Sequence, residues 1–401
     1  MILLKNGRIL KDDELVLSDV LIDGERIVEI APNITAQSDW EVKDVEKMWI
    51  IPAGVDVHAH LREPGFTRKE TVKTGTMSAA KGGIGTIIAM PNVIPAPDCV
   101  ENLSVMEKII EKDSVIRTYP SATVSIGERG EELSDFKSLN GKVVAFTDDG
   151  LCVNNLELLK NALKLAKKPI ASHAEAKGEE IPEAQEYVAV GRELDLLRQY
   201  PNKYHFCHLS TKRSFELVKK AREEGLDVTC EVMPHHLFLN KSQIVDSDWK
   251  MNPPLRDESD RQATVEALLS GVATMIATDH APHSPEEKAR EYKSAPNGII
   301  GFETMFPLVY TNLVRTGLIS HGKMLELTVY NPAERFGLIH GDIKVGGLAD
   351  VAVLDIENEH EYTAEEILSK SRNTPFIGFK LYGFNALTLI GGKVVYERKK
   401  R

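Results

Sequence analysis

Two histidines one residue apart, His58 and His60, close an apolar run, and an arginine follows: Asp56-Val57-His58-Ala59-His60-Leu61-Arg62-Glu63-Pro64-Gly65. The preceding Trp49-Ile50-Ile51-Pro52-Ala53-Gly54-Val55 reads as a buried strand. Alternate residues of a strand share a face, so both imidazoles can reach one point in space. Converging imidazoles at the end of a buried strand suit a metal ion. Arg62 adds a fixed cation with a planar donor fork, suited to a carboxylate. Together these residues point to a small anionic substrate and a hydrolytic reaction.

Further polar residues stand where other apolar runs stop. Asn92 follows Met90-Pro91, Asp149 lies just beyond Val143–Phe146, His173 follows Pro169–Ser172, His208 follows Tyr204–Cys207, and Asp279 closes Met275–Thr278. His58, His60, Asp149, His173, His208 and Asp279 thus form one candidate ligand set. A catalytic zinc takes three protein ligands and keeps a position for water, so six candidates suit two metals better than one. Two dications repel at close range, and Asp149 with a shared hydroxide could bridge them; the residual positive charge favours an electron-rich carbonyl and acidifies bound water. Blander readings exist for each residue. An isolated His-x-His is usually incidental, Asp279 could cap a helix, and Asp148 suits such a structural role. Arg62 could pair with Glu63 or Glu70 on the surface, and Asn92 after proline is a common turn residue. It is the recurrence of polar groups at strand ends that carries the metal reading.

The elements that must gather these residues alternate along the middle of the chain. Candidate strands end near His58, Met90, Val124, Phe146, His173, His208, Val232 and Asp279, with helical patterns such as Asn154–Lys167, Lys212–Glu224 and Glu258–Leu269 between them. Eight strands alternating with helices predict a (β/α)8 TIM-type barrel over residues 51–340, whose strand ends meet at one rim. A doubly wound open sheet is the alternative. Residues 1–50 and 341–401 are instead β-rich, and they predict one small β-sandwich domain built from both termini. Asn6-Gly7 and Asp23-Gly24 read as its hairpin turns. His235 and His236, taken as strand neighbours, would point opposite ways and stay out of the ligand set. His205 reads as packed or solvated, and Cys207 as buried. Gly82-Gly83-Ile84-Gly85 precedes a strand, so it is not a phosphate loop.

The 401 residues, with 42% hydrophobic, allow a sizeable core. A net charge of −11 offers no basic stripe for nucleic acid. No apolar run is long enough to cross a membrane, and the N-terminus reads as strand and turn, not as a signal peptide. Cys99, Cys152, Cys207 and Cys230 show no CxxC spacing. A reducing cytoplasm is the expected location.

The chain resembles the amidohydrolase superfamily, and within it the type I dihydroorotases. The motifs that carry the resemblance are the Asp56–Gly65 stretch, Met90-Pro91-Asn92, Phe146-Thr147-Asp148-Asp149-Gly150, Ser172-His173-Ala174-Glu175, Cys207-His208-Leu209-Ser210-Thr211, Met251-Asn252-Pro253-Pro254-Leu255-Arg256 and Ala277-Thr278-Asp279-His280-Ala281-Pro282-His283. They run in the family's order, and with the β-rich flanks they cover nearly the whole chain. The resemblance implies that His58 and His60 bind one zinc and His173 and His208 a second, with Asp279 near the first. Many relatives bridge the metals with a carboxylated lysine. This chain has Lys142 at the start of that strand and Asp148 and Asp149 at its end, so it resembles the branch that bridges with aspartate, and the resemblance implies Asp149 as the bridge. The segments from Asp149 to His173 and from His173 to His208 are shorter than the family's pattern.

The implied reaction is the reversible cyclisation of N-carbamoyl-L-aspartate to L-dihydroorotate by metal-activated hydroxide, a step of pyrimidine biosynthesis, with Asp279 as the proton carrier. Arg62, Asn92 and His283 resemble the family's contacts to the substrate carboxylate. Asn252 and the Asn297-Gly298 backbone resemble its contacts to the ring amides, and Ser284–Ala295 reads as a loop over the pocket. The implied partners are the small-molecule substrate and, beyond it, further copies of the chain or aspartate transcarbamoylase. The nearest rivals are an allantoinase or a dihydropyrimidinase; a rival of another class is a non-catalytic scaffold for the transcarbamoylase.

Overall fold

The computed structural model describes residues 1–399. The first 52 residues form five strands: β1 (Ile2–Lys11), β2 (Glu14–Asp23), β3 (Arg26–Ala31), β4 (Glu41–Asp44) and β5 (Trp49–Pro52). Asp23-Gly24 does turn the chain between β2 and β3, where Gly24 takes φ 53°. Asn6-Gly7 does not. It lies within β1, where the register against β2 slips between Leu4 and Gly7. Asn6 adopts φ 62° and donates its N–H to Asp19 Oδ1 at 2.7 Å, away from the ladder, so the pair is a bulge. Gly7 is needed there because a Cβ would meet Ile50 Cδ1 at 2.5 Å. The hairpin turn is Asp12-Asp13, with φ 51° and 65°, a conformation that aspartate tolerates better than most residues.

The middle of the chain carries β6 (Gly54–Ala59), α1 (Val72–Lys81), β7 (Ile84–Ala89), α2 (Val100–Asp113), β8 (Arg117–Pro120), α3 (Phe136–Leu139), α4 (Leu156–Leu165), β9 (Ile170–Ser172), α5 (Pro182–Gln199) and β10 (Tyr204–Phe206). There follow α6 (Lys212–Glu223), β11 (Val228–Val232), α7 (Pro234–Phe238), α8 (Glu258–Leu269), β12 (Met275–Ile276) and α9 (Pro285–Lys288). The α8 bounds are those read from the sequence, and α6 ends one residue early. For α4, Asn155 accepts from the Leu158 N–H and so starts the helix two residues later than expected.

All strand pairings here are parallel: β6 with β7, β7 with β8, β9 with β10, β10 with β11, and β11 with β12. Single parallel bridges link Ala122 to Phe146, Phe146 to Ile170, and His280 to Ala59. The pairing therefore passes from β6 through each neighbour and returns to the end of β6. Two expected strands are shorter than read. β8 stops at Pro120, which has no N–H to donate. The run to Phe146 pairs only through Phe146, because Lys142 and Val143 still donate to Leu139 O at the end of α3.

After residue 350 come β13 (Val351–Asp355), β14 (His360–Glu361), β15 (Lys380–Leu381), β16 (Phe384–Ile390) and β17 (Lys393–Glu397). Strands from both ends share one sheet in the order β17-β16-β13-β5-β1-β2-β3, with β4 beside β1. The junction is β5, antiparallel to β13 and parallel to β1. Leu4, Val20, Ile22, Ile27, Ile50, Val353 and Leu389 pack within this sheet, apart from the larger core that surrounds the parallel strands. No helix of the described residues is long and apolar enough to cross a membrane.

Candidate active site

The strand ends bring all six ligand candidates together. His58 Nε2 lies 3.1 Å from Asp149 Oδ1 and 3.6 Å from Asp279 Oδ1. His60 Nε2 lies 3.0 Å from Asp279 Oδ1 and 3.4 Å from Asp149 Oδ2. His173 Nδ1 is 3.7 Å from Asp149 Oδ1 and 2.6 Å from His208 Nε2. Donor atoms from His58, His60 and Asp149 form one compact group, and those from Asp149, His173 and His208 another. Asp149 is common to both. All six side chains are buried.

The cluster has the character of a cation site. His58 Nε2 and Asp149 Oδ1 face each other without a hydrogen-bond partner, although both are buried. Unpaired buried acceptors are costly unless a cation or proton satisfies them. Burial works against charge on Asp149, yet His58 and His60 hold its carboxyl well below the usual range. His208 and Asp279 take φ 32° and 46°, left-handed conformations that side-chain-bearing residues adopt mainly where surroundings impose them. One imposing contact is Asp56, which accepts from Thr278 N–H at 3.1 Å, Thr278 Oγ1 at 2.5 Å and His58 N–H at 3.2 Å. It ties the segment carrying Asp279 to the strand carrying His58. Burial pushes the Asp56 carboxyl up to about 7.

Asp148, beside Asp149, turns away. It accepts from the N–H groups of Val124 and Ser125 and from the Ser125 hydroxyl, and so fixes the loop after β8. Asp149 is the aspartate among the histidines.

Two of the expected substrate contacts, Asn92 and Asn252, touch this cluster. Arg62 donates Nε–H to Pro282 O at 3.2 Å and has no carboxylate within ion-pair distance among the described residues. Glu63 accepts from Val72 N–H, while Glu70 is buried against Ser369 and Lys370, so the surface pairing does not form. Asn92 is tied to the ligand candidates themselves: its amide spans His60 Nδ1 (2.9 Å) and Asp149 Oδ2 (3.2 Å). Asn252 Nδ2 lies 3.0 Å from His173 Nε2 and 2.8 Å from Glu175 Oε2. Burial, with Arg62 and Lys69 near, pushes the His283 imidazole down to about 3, so it is neutral. Its Nε2–H donates to Asn297 O at 2.7 Å and its Nδ1 accepts from Lys69 at 3.2 Å. Gly298, at φ 135°, donates to Lys250 O, and a Cβ there would meet Ala281 O at 2.6 Å. Within the expected loop Ser284–Ala295, α9 forms a helical turn closed by a Ser284–Glu287 capping box.

Three expectations about neighbouring residues change or sharpen. His235 and His236 lie in α7, not in a strand, and both are buried; His236 Nε2 donates to Pro253 O. Pro234 at the first helical position explains the difference, because it favours a helix start there. Cys207 is buried and its thiol is pushed up to about 12 by burial, which removes it as a nucleophile. His205 is buried and bonded to Thr229 and Glu231. Glu231 itself escaped the sequence reading. It stands near the end of an apolar strand, the same signal that marked the ligand candidates, but one residue before the last and between two apolar neighbours.

Comparison with known proteins agrees with this arrangement. A Dihydro-orotase-like family model matches residues 47–181. The chain is 42% identical to a dihydroorotase of Bacillus cereus over 422 aligned positions, covering 99% of this chain and 98% of that one. It is 42% identical to the dihydroorotase of Bacillus cytotoxicus and 41% to that of Bacillus anthracis, with the same coverage. In fold it is similar to the dihydropyrimidinase of Brevibacillus agri (TM-score 0.84, 24% identity, 98% of this chain and 95% of that one). It is also similar to the L-hydantoinase of Arthrobacter aurescens (TM-score 0.87, 24% identity, 100% and 96%). These last two show a shared α/β fold. Full-length identity with the bacillary sequences goes further, and by it the chain belongs to the dihydroorotase family.

Proposed function

We propose that the protein is a dihydroorotase that interconverts N-carbamoyl-L-aspartate and L-dihydroorotate in pyrimidine biosynthesis, with two zinc ions per subunit held by His58, His60, Asp149, His173, His208 and Asp279. The observation that carries this reading is Asp149, shared by two histidine-bearing groups beside an arginine without a carboxylate partner. When bound, the metals supply Lewis-acid polarisation of the reacting carbonyl and a more acidic water.

The chain's own residues do the rest. Arg62 binds the substrate carboxylate through its free guanidinium N–H groups and so fixes the orientation of the ring. Asn252 and the Asn297-Gly298 backbone bind the ring amides, and Asn92 and His283 join Arg62 at the carboxylate. In ring opening, water adds to the cyclic amide carbonyl carbon and the C–N bond breaks. Asp279, whose Oδ1 faces His60, takes the water proton on Oδ2 and passes it to the leaving nitrogen. In closure the carbamoyl nitrogen attacks the carbon of the protonated side-chain carboxyl, its proton goes to Asp279, and the C–O bond breaks as Asp279 returns that proton to the departing hydroxyl, which leaves as water.

A (β/α)8 barrel over 51–340 is supported by parallel pairings that return to β6, which a doubly wound open sheet lacks. A β-sandwich from 1–50 and 341–401 is supported by the separate apolar cluster of the terminal sheet. Free cysteines fit a cytoplasmic location. Neutral ring amides, such as those hydantoinases or allantoinases take, would leave Arg62 without a partner. Turnover of dihydroorotate, dihydrouracil and allantoin by the zinc-loaded protein tests the proposal; preference for either neutral ring overturns it. Absence of both turnover and bound zinc favours the scaffold reading. Sizing the protein alone and with aspartate transcarbamoylase tests the assembly.

A further inference from the structure

We infer that Glu231 is a positioning residue that holds one histidine of each ligand group in register. Its Oε1 lies 2.7 Å from His58 Nδ1 and accepts the His208 backbone N–H at 3.3 Å. Its Oε2 lies 3.0 Å from His205 Nε2, and His205 Nδ1 meets Thr229 Oγ1 at 2.8 Å. Glu231 is fully buried, so each of these contacts is made away from water.

Two consequences follow from the geometry. Donation of Nδ1–H to Glu231 leaves the lone pair of His58 on Nε2, the atom that faces Asp149 and has no other partner. A carboxylate behind a ligating imidazole fixes its tautomer and raises its basicity. The same oxygen also anchors His208 at its left-handed φ of 32°, which turns that side chain toward His173. His58 and His208 belong to different groups, so one carboxylate sets the spacing between them. A proton on His58 Nδ1 also excludes a cation from the alternative trio of His58, Cys207 and Glu231.

The inference rests on the proposed zinc site, and its test separates the two. Zinc affinity of the folded full-length protein is measured by chelator competition for wild type and Glu231→Gln, and the His58 tautomer is read by 15N NMR with and without zinc. The expected result is a loss of zinc affinity of roughly 10- to 100-fold in Glu231→Gln and an Nδ1-protonated His58 in wild type. A purely structural role would lower the melting temperature and leave the affinity of the folded protein unchanged; affinity within twofold of wild type overturns the inference. If Glu231→Gln does not fold, Thr229→Val decides, with a threefold loss supporting the inference and no loss overturning it. A wild type that binds no zinc would sink the metal proposal, while an Nε2-protonated His58 would sink the role of Glu231.

Discussion

Arg62 and Asp279 are the two residues whose replacement separates binding from chemistry. Among the described residues the Arg62 guanidinium keeps most of its N–H groups free, with only Nε–H given to Pro282 O. Lysine keeps the charge but loses the planar fork. Arg62→Lys should raise the KM for carbamoyl aspartate by roughly 10-fold, about one bidentate contact, with kcat changed much less; steady-state kinetics check it. Asp279→Asn should lower kcat by roughly 10²- to 10⁴-fold, the usual worth of a positioned acid–base group, while circular dichroism stays that of wild type. At this scale the clustering of the six ligand candidates was legible because each is a polar residue where an apolar run stops. Asn92 and Glu231 were less so. Their work lies in contacts to His60, Asp149, His58 and His208 that come from other strands, and no spacing in the sequence encodes those distances.

Among elements, the α1–β7 connection is set by backbone approach. Gly82 has an ordinary helical φ, yet a Cβ there would lie 2.1 Å from Phe302 O. Gly82→Ala should therefore cost about 1–3 kcal/mol, the range for overpacking, measurable by urea unfolding. The α9 segment carries a different device. Lys288 is buried, donates to Lys250 O and Pro296 O, and its pKa is brought down to about 8 by burial. Between that value and the ordinary lysine range the unfolded chain holds more protons, so stability rises with pH across this window. The stability of wild type relative to Lys288→Met should rise from pH 8 to pH 10 by on the order of 1 kcal/mol; thermal unfolding of the pair at both pH values checks it. Helices α6 and α8 were legible from their helical patterns. The strands ending near Val124 and Phe146 were overread, because Pro120 and the tail of α3 stop pairing that apolar composition alone suggests. Asn6-Gly7 carried a hairpin signature, but Asp19 captures the Asn6 N–H and makes a bulge of it.

For the whole molecule, the terminal sheet is fastened to the parallel strands by Arg117 and Asp350. Arg117 Nε and Nη2 donate to Asp350 at 2.6 and 3.2 Å, and Asp350 also accepts from Gly391 N–H. Asp350→Ala strands a half-buried guanidinium and should cost about 2–4 kcal/mol, seen as a lower melting temperature with unchanged zinc stoichiometry. That both ends share a sheet was legible in their matching strand-and-turn character; that β5 is the seam was not, since register depends on partners far away in sequence. The seam has a consequence for biosynthesis. Trp49 pairs with Arg8 on one side and Leu354 on the other. A nascent chain leaving the ribosome therefore carries an open β5 edge until residue 354 emerges, and such an edge templates aggregation. Fragments released before that point should precipitate or remain bound to chaperones, whereas a chain that includes β13 covers the β5 edge.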